Sequence, residues 1–194
     1  MPERTPSQTV GPYLHIGLTP AHPGARAIVA ADVADPGVAG VRVRIEGRVL
    51  DAEGRPLSDA LVETWQADAQ GRYAHPADGR PLAANSFRGF GRAATDAEGR
   101  FAVATIKPGS VPGPGGRAQA PHINVGVLGR GLQKRLFTRL YFPDEPLNAS
   151  DPILALVPPE RRATLIAHPD AARAGVLHFD IHLQGERETV FFDA

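Results

Sequence analysis

One five-residue turn, Asp-Ala-x-Gly-Arg, occurs three times in this chain, starting at Asp51, Asp68 and Asp96, each time between runs of strand-like character. Glycine in its fourth place supplies the positive φ that a hairpin connection needs. Between such turns the apolar residues alternate with polar ones. Val41, Val43 and Ile45 are interleaved with Arg42, Arg44 and Glu46, and Leu61-Val-Glu-Thr-Trp65-Gln and Arg100-Phe-Ala-Val-Ala-Thr-Ile106 follow. Further strands are expected at Ile123-Asn-Val-Gly-Val127, Leu136-Phe-Thr-Arg-Leu-Tyr141, Gly175–Leu183 and Glu188-Thr-Val-Phe-Phe192. A period of two, broken repeatedly by glycine and proline, predicts antiparallel strands and excludes a mainly helical fold. The unequal spacing of the turns excludes a solenoid or a propeller.

The fold class expected is therefore all-β: an antiparallel β-sandwich with long loops and at most one or two short helices. Pro158-Pro159-Glu-Arg-Arg-Ala-Thr-Leu-Ile-Ala167 is the best helix candidate, with proline at its start, an early acid and Pro169 as its stop, and it is expected at the periphery. The 194 residues suffice for one substantial core, so a single domain over 1–194 is expected, with residues 1–20 as an N-terminal arm. The glycine-rich loop Pro108-Gly-Ser-Val-Pro-Gly-Pro-Gly-Gly116 precedes no helix, which argues against phosphate binding.

Charge and cysteine content narrow the function. Twenty-one basic residues balance twenty-one acidic ones, so no net field draws the chain to nucleic acid or to an anionic membrane. Without cysteine it has no disulfides, thiolate metal sites or thiol nucleophile. No apolar run reaches the length of a membrane span, and the cytoplasm is the expected location. Lys107 and Lys134 are the only lysines; the arginine bias suits carboxylate recognition and equally reflects base composition.

The residues that could carry chemistry lie in two places. Tyr73 closes the second turn, and Ala120-Pro-His122-Ile-Asn124 opens a later strand. Side chains two apart on a strand share a face, so a His-x-His pair with distant tyrosinates would suit ferric iron, a hard cation that favours anionic oxygen and tolerates imidazole. Asn124 stands where the second imidazole would be. His178, Asp180 and His182 also share a face, opposite Leu177, Phe179, Ile181 and Leu183. A strand with a polar outer side gives the same pattern as a metal motif. Trp65 is expected as a core anchor between the sheets. Arg130, in Leu128-Gly-Arg-Gly131, reads as a solvated hairpin tip, and Thr9-Val-Gly11-Pro12-Tyr13 as a terminal arm with a turn.

The chain also resembles the intradiol ring-cleaving dioxygenases, and among them the α-type chain of the heteromeric members. The segments that carry the resemblance are Thr5-Pro-Ser-Gln-Thr9-Val-Gly11-Pro12-Tyr13, Val62-Glu-Thr-Trp65-Gln-Ala-Asp-Ala, Thr105-Ile-Lys-Pro-Gly109, Ala120-Pro-His-Ile-Asn124, Thr138-Arg-Leu-Tyr-Phe142 and Gln184–Phe192. In the iron-bearing chains of that family two tyrosines and two histidines hold ferric iron. The resemblance puts those positions at Tyr73, Val111, His122 and Asn124, two of which are lost here. Gln119 likewise replaces an arginine that precedes the histidine pair. Tyr73 and His122 are then expected as buried relics, and this chain is expected to bind no metal and to carry no catalytic residue.

The resemblance implies a homologous iron-bearing β subunit as partner, with Fe(III) in that subunit, and assembly of the αβ unit into higher oligomers. The implied reaction is intradiol cleavage of protocatechuate (3,4-dihydroxybenzoate) by O2 to 3-carboxy-cis,cis-muconate. The substrate pocket would be walled in part by Thr9, Gly11, Pro12, Tyr13 and Arg130 of this chain. There glycine allows close backbone approach, proline holds the loop in one shape, and arginine favours a carboxylate. Two other readings stay open at this stage: a β-sandwich binding module outside any dioxygenase, and a metal enzyme that uses Asn124 or water as a ligand.

Overall fold

The computed structural model describes residues 8–11, 13–20, 24, 26–80 and 87–193. The strands are β1 (Arg42–Leu50), β2 (Leu61–Trp65), β3 (Phe90–Ala94), β4 (Arg100–Ile106), β5 (Val111–Pro112), β6 (Ala118–Gln119), β7 (His122–Leu128), β8 (Leu136–Tyr141), β9 (His168–Pro169), β10 (Val176–His178) and β11 (Ile181–His182). One α-helix, Leu14–Leu18, and short 3-10 turns make up the helical content of the described residues.

Two sheets form the sandwich. In the first, β1 is flanked by β4 on one side and by β10 and β11 on the other, with β9 beyond β10. The second runs β3-β2-β7-β8, antiparallel throughout. Val43, Ile45, Val49, Phe101 and Val103 of the first sheet meet Val62, Ala93, Ile123, Val125, Val127 and Leu140 of the second in one buried cluster. Each of the larger side chains contributes about 1.5–3 kcal/mol by leaving water. A polar tie joins the layers beside this core. Fully buried Gln66, just after β2, donates from Nε2 to the Ile106 carbonyl at 2.9 Å, and the Thr105 hydroxyl donates to its Oε1 at 2.8 Å.

The three Asp-Ala-x-Gly-Arg segments fold alike. Oδ1 of Asp51, Asp68 and Asp96 accepts from the backbone N–H groups two and four residues later, at 2.8–3.0 Å. Gly54, Gly71 and Gly99 take φ of 77, 72 and 69°. The third turn carries the chain from β3 in one sheet to β4 in the other.

Some expectations need correction. Residues 175–183 do not form one antiparallel strand; they make β10 and β11, both parallel to β1 in a single register, 44 to 176 through 50 to 182. The chain reaches them by a long excursion after β8, and only such a crossover delivers a parallel neighbour. The ladder breaks at Phe179 because its carbonyl turns onto Gly47, where a Cβ would lie 1.9 Å from that oxygen. Asp180 fills the gap by accepting the Arg48 N–H at 2.9 Å. The strand expected at 188–192 is reduced to one bridge between Phe137 and Phe192. The helix expected at 158–167 is a 3-10 helix, Pro159–Leu165, and it is not peripheral: Leu165 is fully buried with Ala120, Tyr141, Leu154 and Val157 in a second apolar cluster. Val41 precedes β1 and is exposed. Trp65 is half-buried and shares the outer face of the four-stranded sheet with Glu63, because the core face at that end belongs to Val62 and Thr64.

Candidate functional site

The positions that the resemblance singles out meet at the outer face and edge of the four-stranded sheet. The second turn delivers Tyr73, whose backbone N–H donates to Asp78 Oδ2 at 2.8 Å and whose ring stacks on Trp65 with centroids 5.6 Å apart. The 108–111 loop packs on the same turn so tightly that a Cβ at Gly71 would meet the Ser110 carbonyl at 2.0 Å, and φ of 72° there already favours glycine. That packing buries Val111, which pairs with Gln119 in the β5–β6 ribbon. His122 starts β7 and is 4% exposed. Its Nδ1 lies 2.7 Å from the Ala120 carbonyl, which fixes the proton on that nitrogen, and its ring leans on Tyr141. Asn124 faces the same way as His122, and its Nδ2 donates to the Trp65 carbonyl at 3.4 Å.

Two residues that sequence reasoning did not single out complete the site. Arg139 of β8 stands directly across the ladder from Asn124. Its Nη1 donates to Gln119 Oε1 at 2.7 Å and to the Tyr141 hydroxyl at 3.4 Å. Asp151, 1% exposed, accepts from the Tyr141 hydroxyl at 3.1 Å and from the N–H groups of Ala120, Ile153 and Leu154 at 2.7–2.9 Å. Asp151 thus ties the entry of β7 to the 151–156 turn. Arg139 lies within the Thr138–Phe142 segment that carries the resemblance, but its place opposite Asn124 depends on the register of the β7–β8 hairpin.

Protonation follows from this packing. Burial, and then the charge of Arg139, press His122 down to about 4, so the imidazole is neutral at neutral pH. Burial raises the Tyr73 hydroxyl, while Arg139 and the Asn124 side chain draw it part of the way back. Tyr141 is pushed up to about 12, mainly by burial.

This donor set does not fit ferric iron. Val111 offers no donor atom, the Asn124 amide donates to the Trp65 carbonyl, and a permanent cation faces the site from Arg139, opposite Asn124. Of the two expected relics, His122 is buried, whereas Tyr73 is only partly buried and lines an open recess with Trp65 and His75. His178, Asp180 and His182 also fail to converge: His178 Nε2 lies 2.9 Å from Asp170, and Asp180 pairs with Arg48 at 2.8 Å. Among the described residues, no group of three or more His, Cys, Asp or Glu side chains is placed to hold a metal ion.

The described residues among the expected pocket lining lie at the surface. Thr9 and Gly11 are exposed, Tyr13 is 77% exposed at the entry to the α-helix, and Pro12 lies outside the described residues. Arg130 sits at the tip between β7 and β8 and forms an ion pair with Asp59. The Tyr13 side chain is thus open to solvent in the isolated chain.

The family described as Dioxygenase matches residues 19–185 of the chain. The chain is 46% identical to the protocatechuate 3,4-dioxygenase alpha chain of Burkholderia cepacia over 98% of both chains. It is also 43% identical to the beta chain of that enzyme from the same organism, over 77% of this chain and 67% of that one. Among solved structures, the dioxygenase domain of a dioxygenase and carbohydrate-binding fusion from Streptomyces sp. SirexAA-E superposes with a TM-score of 0.62. That pair shares 30% identity and covers 94% of this chain and 99% of the other. No helix among the described residues is long and apolar enough to cross a membrane.

Proposed function

This chain belongs to the dioxygenase family, and from that premise we propose that it is the α-type subunit of a protocatechuate 3,4-dioxygenase. A homologous β-type subunit carries the Fe(III). In the complex, 3,4-dihydroxybenzoate and O2 give 3-carboxy-cis,cis-muconate, with both oxygen atoms of O2 retained in the product. The observation that carries this reading is the contrast between an end-to-end likeness to an alpha chain and a site in which a valine, an engaged amide and a guanidinium replace metal-binding character.

The chain's contribution is then a wall and an interface. Thr9, Gly11, Pro12 and Tyr13 form one side of the partner's substrate pocket, which gives the solvent-facing Tyr13 ring a surface to cover. Arg130 biases that pocket toward the substrate carboxylate, its charge partly offset by Asp59. Residues 1–194 act as one domain with residues 1–20 as the arm, the αβ units assemble further, and the complex works in the cytoplasm.

The test is to purify the chain alone and after co-expression with a β-type partner, and to measure iron, visible absorption and oxygen uptake on protocatechuate. A colourless, inactive chain and a coloured, active complex are expected. Stoichiometric iron with activity in the isolated chain would overturn the reading, and failure to form any complex would point to a free-standing binding module.

A further inference from the structure

We propose that the Arg139 guanidinium holds this site closed to metal ions, so that restoring the two lost donors at positions 111 and 124 would not by itself restore a metal centre. The inference rests on family membership for the identity of the four positions, and it concerns this chain whether or not a partner is present.

Arg139 stands directly opposite one of the four positions, Asn124, and is linked to a second, Val111, through Gln119. It faces Asn124 across the β7–β8 ladder, so their side chains rise from the same face of the sheet. Asn124 in turn donates to the Trp65 carbonyl, and the Trp65 ring stacks on Tyr73. On its other side the guanidinium is held by Gln119, the residue paired with Val111. Gln119 is itself fixed, since its Nε2 donates to the Pro112 carbonyl at 2.8 Å. The remaining contact, to the Tyr141 hydroxyl, leads on to the buried Asp151 carboxylate, which lies at the far end of that hydrogen-bonded chain. The charge of Arg139 reaches both Tyr73 and His122, the two donors that survive.

Chemistry makes this an exclusion device. A guanidinium has five donors and no acceptor and does not deprotonate in proteins, so it can neither ligate a cation nor become neutral beside one. A ferric ion entering the site would meet a fixed positive charge at short range, in a partly buried setting where screening is weak. Swinging the side chain aside would break its bond to the Gln119 Oε1. Loss of ligands alone explains weak binding. The arginine adds a barrier that outlasts their return.

The experiment compares three forms of the full-length chain: Val111→Tyr/Asn124→His, the same pair with Arg139→Gln, and the same pair with Arg139→Lys. Each is loaded with Fe(III), desalted, and measured for bound iron and for visible tyrosinate-to-iron absorption, with circular dichroism melting as the check on folding. The pair with Arg139 intact is expected to stay colourless. The Gln form is expected to hold roughly tenfold more iron or better, with the visible band, while the Lys form stays near the arginine level because the charge remains. An Arg139→Met version replaces the Gln form if the latter fails to melt cooperatively. Full loading of the Val111→Tyr/Asn124→His chain with Arg139 in place would overturn the proposal. So would a folded Gln or Met form that binds no more iron than the arginine form. Because no partner is present, neither result bears on the subunit assignment, which is read from co-expression.

Discussion

Glu63 is 5% exposed, yet it sits on the outer face of the four-stranded sheet, held between two guanidinium groups. Arg92 donates to its Oε1 from Nε at 2.7 Å, and Arg135 Nη2 lies 2.7 Å from Oε2. Arg135 reaches across Gly126, where a Cβ would come within 2.5 Å of the guanidinium. The two arginines stack over Phe90 and Phe137, at 5.6 and 4.7 Å from the ring centroids. Replacing Glu63 by Gln keeps the shape and removes the charge that both arginines face. Breaking a buried ion pair from one side costs about 3–5 kcal/mol. The Arg135 side chain is 34% exposed and water will screen its share, which places the expected cost near the low end, about 3 kcal/mol. For a chain of this size that is roughly a 6–12 °C drop in melting temperature, read by circular dichroism or calorimetry. Raising the salt concentration should recover little of it, because the pairs are mostly shielded from solvent. Replacing all three residues by leucine should come out much closer to wild type than Glu63→Gln alone. A Gln variant that melts within about a degree of wild type would refute the claim that this carboxylate neutralises a buried charge.

Two further outcomes follow from buried polar groups. Gln66→Leu should destabilise by about 2–4 kcal/mol in urea titration, since it strands the Thr105 hydroxyl and the Ile106 carbonyl between the sheets; a loss below about 0.5 kcal/mol would show that water satisfies both. His122 binds its proton near pH 4 in the native state instead of 6.5. Below about 6.5 the unfolded chain takes up a proton that the native one refuses, so stability is full above that value and falls as the pH drops toward 4. The loss amounts to about 3 kcal/mol, and His122→Gln should remove that part of the pH slope; an unchanged slope would locate acid sensitivity elsewhere.

The sequence pattern found β1, β2, β4, β7 and β8, and it was clearest in β1 and β4, where a core face alternates with an exposed or part-exposed one. It failed where both faces are covered. In β2 four successive residues are buried, so the pattern could not tell which way Trp65 points, and the usual preference of tryptophan for cores pointed the wrong way. β3, Phe90–Ala94, is rich in glycine and alanine and lacks the β-branched residues that mark strands. The break at Phe179 was invisible because it depends on Gly47, 132 residues earlier. At the site, residue identities at 73, 111, 122 and 124 were legible one by one. Arg139 was not, since only the hairpin register places it opposite Asn124. Asp151 gave no periodic signal at all, because it works from a turn through the backbone of other segments.

The position of β1 also governs the order in which the molecule can be completed. Its partner β4 follows soon after it in the chain, but the strands on its other edge come last; Arg48 and Asp180 are 132 residues apart. On a ribosome adding about 5–20 residues per second, that edge would stay open for roughly 7–26 s. For that interval a nine-residue strand destined for the centre of the sheet offers unpaired N–H and C=O groups to any passing chain. Slow, non-local closure of this kind favours crowding losses over misregistered local hairpins. A nascent chain stalled before Val176 should therefore be captured by chaperones or aggregate, even though almost all of the second sheet is already made.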